Sequence, residues 1–411
     1  MKLAVVTAFP PSKVTLNEYG YHLVKHFAQK NEVDEIVLIT DHTSEPKQLD
    51  FESASKISVR ESWKFNSYKN VIGILRTIRH EKPDSILYNL QFMKFGDKKI
   101  AATLGLMLPM ITKLMGIPSI VLLHNILETV DLEKAGFTNN KALQKIYNLI
   151  GASITRVLLQ ADLVAVTISK YVDILTSKYK KHNIELVPHG SFETPPSPNM
   201  NLPEGPKKVM AFGKFGTYKK VEIMIEAVQK IRERTGEAIE ILIAGTDSPN
   251  TPGYLADVAE RYADVENLTF TGYLSEEQVP VIFAESAVAV FPYTSTTGSS
   301  GVLHQAGSYG KAVVLPDLGD LGILVREEGY TGEFFVPGDV DSLANAIEKI
   351  LVNDEYRIQL GMTNYQAACS LPMDLIADKY LGYFQEIRNK KSKKHLVADK
   401  PEGRLRVAQP V

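Results

Sequence analysis

The strongest constraint on this chain is a rhythm that occurs twice. Short apolar runs rich in β-branched residues alternate with longer runs of helical spacing; the pattern stops at residues 193–208 and then restarts. In the first half, Leu3 to Ala8, Glu35 to Thr40, Ser85 to Tyr88, Ser119 to Leu123 and Leu163 to Thr167 read as strands. Between them, Glu18 to Gln29 puts Tyr19, Leu23, Val24 and Phe27 on one helical face, and Ile72 to His80 reads as a second helix. Ser169 stands where it would cap the next helix. In the second half, Val209 to Phe212, Ile239 to Ala244, Asn267 to Phe270, Ala287 to Phe291 and Ala312 to Leu315 read as strands. Val221 to Arg232 and Glu276 to Glu285 read as helices. Alternation of this kind builds βαβ units around a parallel sheet. The interruption holds five prolines and little apolar content, as a linker does.

A chain of 411 residues is long enough for two such domains. The expected division is an α/β domain at 1–192, a linker at 193–207 and a second α/β domain at 208–370. A helix at 371–389, with Ile376, Ala377, Tyr380, Leu381 and Phe384 on one side, is expected to pack back on the first domain. Residues 390–411, opening with Lys390-Lys391-Ser392-Lys393-Lys394, read as a basic, disordered tail. Two parallel sheets joined by a polar linker imply a cleft, and ligands of such sheets sit beyond the carboxyl ends of the strands.

Two turns suit a diphosphate. Thr297-Gly298-Ser299-Ser300-Gly301 lies between an apolar strand and a short helix. Small residues let backbone approach a ligand, and the helix start presents free N–H groups to an anion. Gly213-Lys214-Phe215-Gly216-Thr217-Tyr218-Lys219 also follows a strand and precedes a helix, so two ammonium groups flank a glycine turn.

Other chemistries are poorly supported. A net charge of −2 supplies no global field for nucleic acid. The single cysteine, Cys369, excludes internal disulfides and cysteine metal sites, and fits a reducing compartment. Asp339-Val340-Asp341 follows Pro337-Gly338 and reads as helix capping, so no metal site and no cofactor are expected. No run reaches the ~18 apolar residues of a membrane span. The apolar start, Leu3 to Phe9, is too short for a signal peptide, so a cytoplasmic location is expected, either free or at the inner face of the membrane. Ile100 to Leu114, flanked by Lys98, Lys99 and Lys113, reads either as a buried helix broken at Pro109 or as an interfacial patch.

Taken in order, Gly213-Lys214, Lys219, Ala244-Gly245, Thr271-Gly272-Tyr273-Leu274, Phe291-Pro292, Gln305-Ala306, Gly310-Lys311 and Val336-Pro337-Gly338-Asp339 resemble glycosyltransferase family 4, the group 1 family. The resemblance covers most of the second half. Pro10-Pro11, His124-Asn125, Ser169 and Val187-Pro188-His189-Gly190 extend it more loosely into the first. It implies a GT-B fold, with two Rossmann-like domains facing across a cleft, and retaining transfer from a nucleotide diphosphate sugar to a saccharide or lipid-linked acceptor. Lys214 stands where the family has an arginine, and Lys219 where it has a lysine. Thr297 and Gln305 occupy the places of two family glutamates. The resemblance puts His124 near the donor sugar and Gly245, Tyr273, Leu274 and the Thr297–Gly301 turn against the donor. Paired glycines of the family are replaced by Thr15-Leu16-Asn17, so Thr15 and Asn17 are expected either to contact donor or acceptor or to cap the next helix. Two alternatives share these features: a GT-B epimerase or phosphorylase, and a non-catalytic nucleotide-sugar-binding subunit.

Overall fold

The computed structural model describes residues 1–96, 98–129, 140–193, 196–248, 251–275, 277–295 and 299–398, with backbone alone at 99 and 393–398. The first sheet contains β1 (Lys2–Val6), β2 (Glu35–Asp41), β3 (Lys56–Trp63), β4 (Ser85–Leu90), β5 (Ser119–Leu123), β6 (Leu163–Val166) and β7 (Ile184–Leu186). Every pair is parallel, in the order β3-β2-β1-β4-β5-β6-β7. Its crossovers carry α1 (Asn17–Phe27), α2 (Asn70–Glu81), α3 (Lys99–Leu106), α4 (Leu108–Leu114), α5 (Lys141–Leu158) and α6 (Ser169–Tyr179). The second sheet contains β8 (Lys207–Phe215), β9 (Ile239–Asp247), β10 (Leu268–Phe270), β11 (Val288–Val290), β12 (Ala312–Pro316) and β13 (Glu333–Phe335), parallel in the order β10-β9-β8-β11-β12-β13. Its helices are α7 (Glu222–Thr235), α8 (Tyr254–Arg261), α9 (Gln278–Glu285), α10 (Gly301–Ser308), α11 (Gly319–Glu327), α12 (Val340–Leu351) and α13 (Asp354–Ser370).

The second strand order repeats the first, except that β7 has no counterpart. In each sheet the first strand has neighbours built outward on both sides, so the order reverses at β1/β4 and at β8/β11. That reversal opens a crevice at the carboxyl ends of those strands. The central strands are largely apolar because helices cover both faces: β4 and β5 are buried at every position. β3 differs. It is an edge strand, exposed at Lys56, Glu61 and Arg60, and its charges hide it from an apolar-run reading.

The chain crosses between the lobes twice, side by side. Ser191 accepts from Met373 N at 2.9 Å and donates its own N–H to Leu371 at 2.8 Å. The last helix, α14 (Met373–Ala398), then packs Met373, Ile376, Ala377, Tyr380 and Phe384 into one core with Leu23, Val24 and Phe27 of α1. Lys30 fastens it through Asp374 at 2.8 Å and Asp378 at 2.6 Å. The helix runs through the lysine cluster to Ala398, which composition alone assigned to the tail. Ser169 is not a cap. It is the first residue of α6, whose Ile168 cap position has no side-chain bond, and its hydroxyl donates to Glu327 of α11 in the other lobe. Beside it, Tyr171 donates to Asp320 at 2.6 Å. No helix among the described residues is long and apolar enough to cross a membrane.

Candidate functional site

The switch-point end of β8 is shaped by glycine. Gly213 and Gly216 both lie in the left-handed region, at φ 130° and 118°. A side chain at Gly216 would meet Thr251 Oγ1 at 2.0 Å. At Gly245 of the neighbouring β9, a Cβ would stand 1.9 Å from the Gly213 carbonyl oxygen. These contacts let the strand ends close up beneath the turn. Gly245 also bridges to Gly272, which brings the 271–274 turn to the end of β9. There Leu274 packs on the core and Tyr273 stands 83% exposed.

The 216–220 turn is strapped to the segment after β11. Lys220 N donates to Pro292 O at 2.9 Å, and Thr294 N to Tyr218 O at 2.8 Å. The strap holds Lys219 beside the carboxyl end of β8. Its ammonium lies 4.7 Å from the centre of the Tyr293 ring and 6.0 Å from that of Tyr218. A Cβ placed at Gly213 would be 3.5 Å from the same nitrogen. Burial pulls the Lys219 pKa down, and no carboxylate offsets that pull. Lys214, on β8, is exposed, while Phe215 beside it is fully buried in the core. Lys220, next in sequence, lies over the Tyr254 ring at 4.7 Å instead.

Thr297 and Gly298 lie outside the described residues. Ser299 has a buried hydroxyl without a hydrogen-bond partner among the described residues. Ser300 caps α10, accepting from Leu303 N. Gly301 opens the helix with its α-carbon toward the other lobe, where His189 Nε2 would be 3.7 Å from a Cβ. The start of α10 therefore lies against His189 of the first lobe. Gln305, one turn on, lines an interlobe cavity of about 270 Å³ together with His22 of α1, Phe192, Pro280 and Tyr309.

From the first lobe comes a column of rings. His124 follows β5, and its Nε2–H donates to Asn89 Oδ1 at 2.8 Å; Asn89 in turn donates to Thr7 Oγ1 at 2.9 Å. Tyr19 packs edge-on against His124 and His189, with centroids 4.5 and 4.7 Å apart. His189 then stacks on His304 of α10 at 5.0 Å and 5°. His304 meets Tyr330 OH at 2.9 Å through Nδ1 and stands 3.5 Å from Glu328 Oε2 through Nε2. Burial holds His124 and His304 well below the usual imidazole range and brings His189 to about 4. It raises Glu328 to about 8. All four groups are thus neutral near pH 7.

Thr15 and Asn17 do not cap α1. The cap position is Leu16, in the left-handed region at φ 67° and without a side-chain bond. A hydrogen bond from Asn17 Nδ2 to Ser12 O at 2.8 Å closes the loop on itself. The Thr15 carbonyl accepts from Lys94 Nζ at 2.8 Å. Lys94 is a residue that sequence reasoning missed. It is buried after β4, and desolvation lowers it to about 7. His189 was seen only as part of a motif; its partner in the other lobe is far away in sequence. Asp339 caps α12 through Ser342 N, and Asp341 pairs with Lys230 at 2.6 Å. Among the described residues, no group of three or more His, Cys, Asp or Glu side chains could hold a metal ion.

The second sheet, its glycine turns and α10 fall within one matching stretch. Residues 206–353 match the family model for glycosyl transferases group 1. That stretch is a group 1 glycosyltransferase domain. Solved structures agree in fold over nearly the whole length. The chain is similar to sucrose-phosphate synthase from Thermosynechococcus elongatus, with a TM-score of 0.70 at 16% identity, covering 95% of this chain and 100% of that one. A glycosyltransferase from Rickettsia africae gives 0.66 at 14%, covering 94% and 98%. HepE of Anabaena in complex with UDP-glucose gives 0.63 at 15%, covering 96% and 100%. The shared architecture is GT-B. No curated protein matches the sequence of this chain significantly.

Proposed function

We propose that this glycosyltransferase moves a sugar, with retention of configuration, from a UDP- or GDP-sugar to an acceptor hydroxyl. The observation that carries the reading is Lys219. An ammonium group is held on two aromatic rings at the switch-point end of β8, with no carboxylate to neutralise it. That is a seat for an anion, and the start of α10 offers free N–H groups in the same lobe. The solved structure of HepE with UDP-glucose supports a nucleoside diphosphate sugar as the donor.

In this reading the bond between the sugar's anomeric carbon and the diphosphate oxygen breaks as the acceptor oxygen bonds to that carbon on the same face. The acceptor's proton passes to the departing diphosphate. Lys219, Lys214 and the start of α10 stabilise negative charge where it develops. His124, kept neutral by burial, directs a polar ring toward the donor sugar. Gln305 accepts from the ribose hydroxyls through its carbonyl oxygen. No metal takes part.

The test is turnover. The full chain is incubated with UDP-, GDP- and ADP-sugars and a panel of acceptors, and nucleoside diphosphate release and product anomeric configuration are followed. One donor should yield a retained-configuration product, with Lys219→Ala slower by about 10²–10³-fold. Release of sugar phosphate, or epimerised donor without acceptor, would refute the reading.

A further inference from the structure

Outside the cleft, α3 and α5 leave between them a groove of about 320 Å³ lined by Leu106, Met107, Leu149, Ile150, Ile154 and Val157. Helix α5 buries Gly151, Thr155 and Leu158 against its own lobe. It then displays a second apolar face. Leu143, Ile146, Leu149 and Ile150 fall on one stripe at helical spacing, and Leu149 is 68% exposed. Beside it, Ile100 of α3 is 65% exposed and Leu114 of α4 is 81% exposed. A helix of a globular lobe needs one apolar face, so this stripe calls for a partner.

The surrounding charge says which partner. Residues 98–116 and 140–161, which hold α3, α4 and α5, carry Lys98, Lys99, Lys113, Lys141, Lys145 and Arg156 and no aspartate or glutamate. Two acids flank these segments in sequence: Asp97, which lies outside the described residues, and Asp162, which is paired with Lys391 of α14 at 2.8 Å. Lys391 also reaches Gly116 O at 3.4 Å, so the lysine end of α14 borders the same face. In a chain of net charge −2, this is a local concentration of one sign. A second copy on this face would set basic rim against basic rim.

We propose that the α3–α4–α5 face is a docking surface for an anionic lipid bilayer. The apolar stripe of α5 enters the headgroup boundary while the lysines meet the phosphates. Helix α3, which packs against α5, follows the carboxyl end of β4, the end of the sheet that faces the cleft. Docking therefore brings the cleft mouth beside the bilayer. Its use for a membrane-borne acceptor rests on the transferase reading; the docking itself does not.

The test is co-sedimentation of the full chain, without donor, with vesicles of phosphatidylcholine alone or with about one third phosphatidylglycerol. The chain should pellet with the anionic vesicles and be released at high salt. Ile146→Glu with Leu149→Glu should cut the bound fraction at least about tenfold, and Lys141→Glu with Lys145→Glu should also weaken it. Both pairs are exposed, so an unchanged unfolding temperature shows that the variants are folded. Absence of the chain from the anionic pellet, equal binding to neutral vesicles, or wild-type binding by the variants would overturn the proposal. So would a dimer in sedimentation velocity that Ile146→Glu with Leu149→Glu converts to monomer. None of these outcomes bears on donor turnover.

Discussion

The Lys219 ammonium rests 4.7 Å above the Tyr293 ring, and that contact joins the end of β8 to the segment that leads into α10. The ring offers its negative face but no countercharge. A cation held this way gains about 0.5–2 kcal/mol, less than a buried ammonium needs for full compensation. An arriving diphosphate supplies the rest. Tyr293→Leu removes the ring face and should weaken nucleoside diphosphate binding by about threefold to tenfold. Tyr293→Phe should bind as the parent does. Titration calorimetry separates the two.

Gly245 and Gly382 should respond to alanine with opposite signs. At Gly245 the backbone is at φ 137° and the new Cβ would overlap the Gly213 carbonyl, so Gly245→Ala should cost at least about 1–3 kcal/mol. Gly382 is exposed within α14, with nothing within 4 Å of its would-be Cβ. There the substitution should stabilise by about 0.5–1 kcal/mol. Urea unfolding measures both.

Glu328 should make stability fall with rising pH. Burial raises its carboxyl from 4.5 to about 8, so between those values the folded chain keeps a proton that the unfolded chain releases. The contribution is complete below about pH 4.5 and is lost as pH climbs through about 8. Glu328→Gln keeps the neutral shape next to His304. It should raise the unfolding temperature more at pH 8.5 than at pH 5, which differential scanning calorimetry across pH detects.

The His124–His189–His304 column should act in the other direction. Each imidazole is held below its ordinary range by burial, His189 at about 4. Stability from this column is present above about pH 6.5 and is lost as pH falls toward 4, where the unfolded chain binds more protons. His189→Phe retains the stacked ring without the titration, so its unfolding temperature should decline less between pH 6.5 and pH 4.5.

Gln305→Ala tests the cavity beside α10. The residue is half-buried on the cleft side of the helix, away from the main core. Its loss should weaken nucleoside diphosphate binding by about threefold to tenfold while leaving the unfolding temperature unchanged. Equal binding would remove Gln305 from the site.

The legible parts of the chain were those where burial dictates residue type. Strands β4 and β5 lie under helices on both faces and are mostly apolar, so their runs stood out. Edge strand β3 carries lysine, arginine and glutamate because one side meets water, and its pattern vanished among polar loops. The turn that carries Lys219 was legible through its glycines, since close backbone approach leaves a mark in composition. Lys94 left no such mark; a lysine turned inward looks like any other until its Thr15 carbonyl partner is known. The stacking of His189 on His304 joins residues from the two lobes, and a local pattern contains neither. The family likeness placed Thr15 and Asn17 at the site but not the bond from Asn17 to Ser12, which depends on the loop's own shape.

The central claim is that Lys219 holds a diphosphate, and calorimetric titration of the full chain with UDP and GDP tests it most directly. The account predicts that one of them binds the parent chain and binds Lys219→Ala more weakly by about 1.5–3 kcal/mol, roughly tenfold to more than a hundredfold. Failure of both nucleotides to bind the parent chain, or equal affinity for the variant, would contradict it.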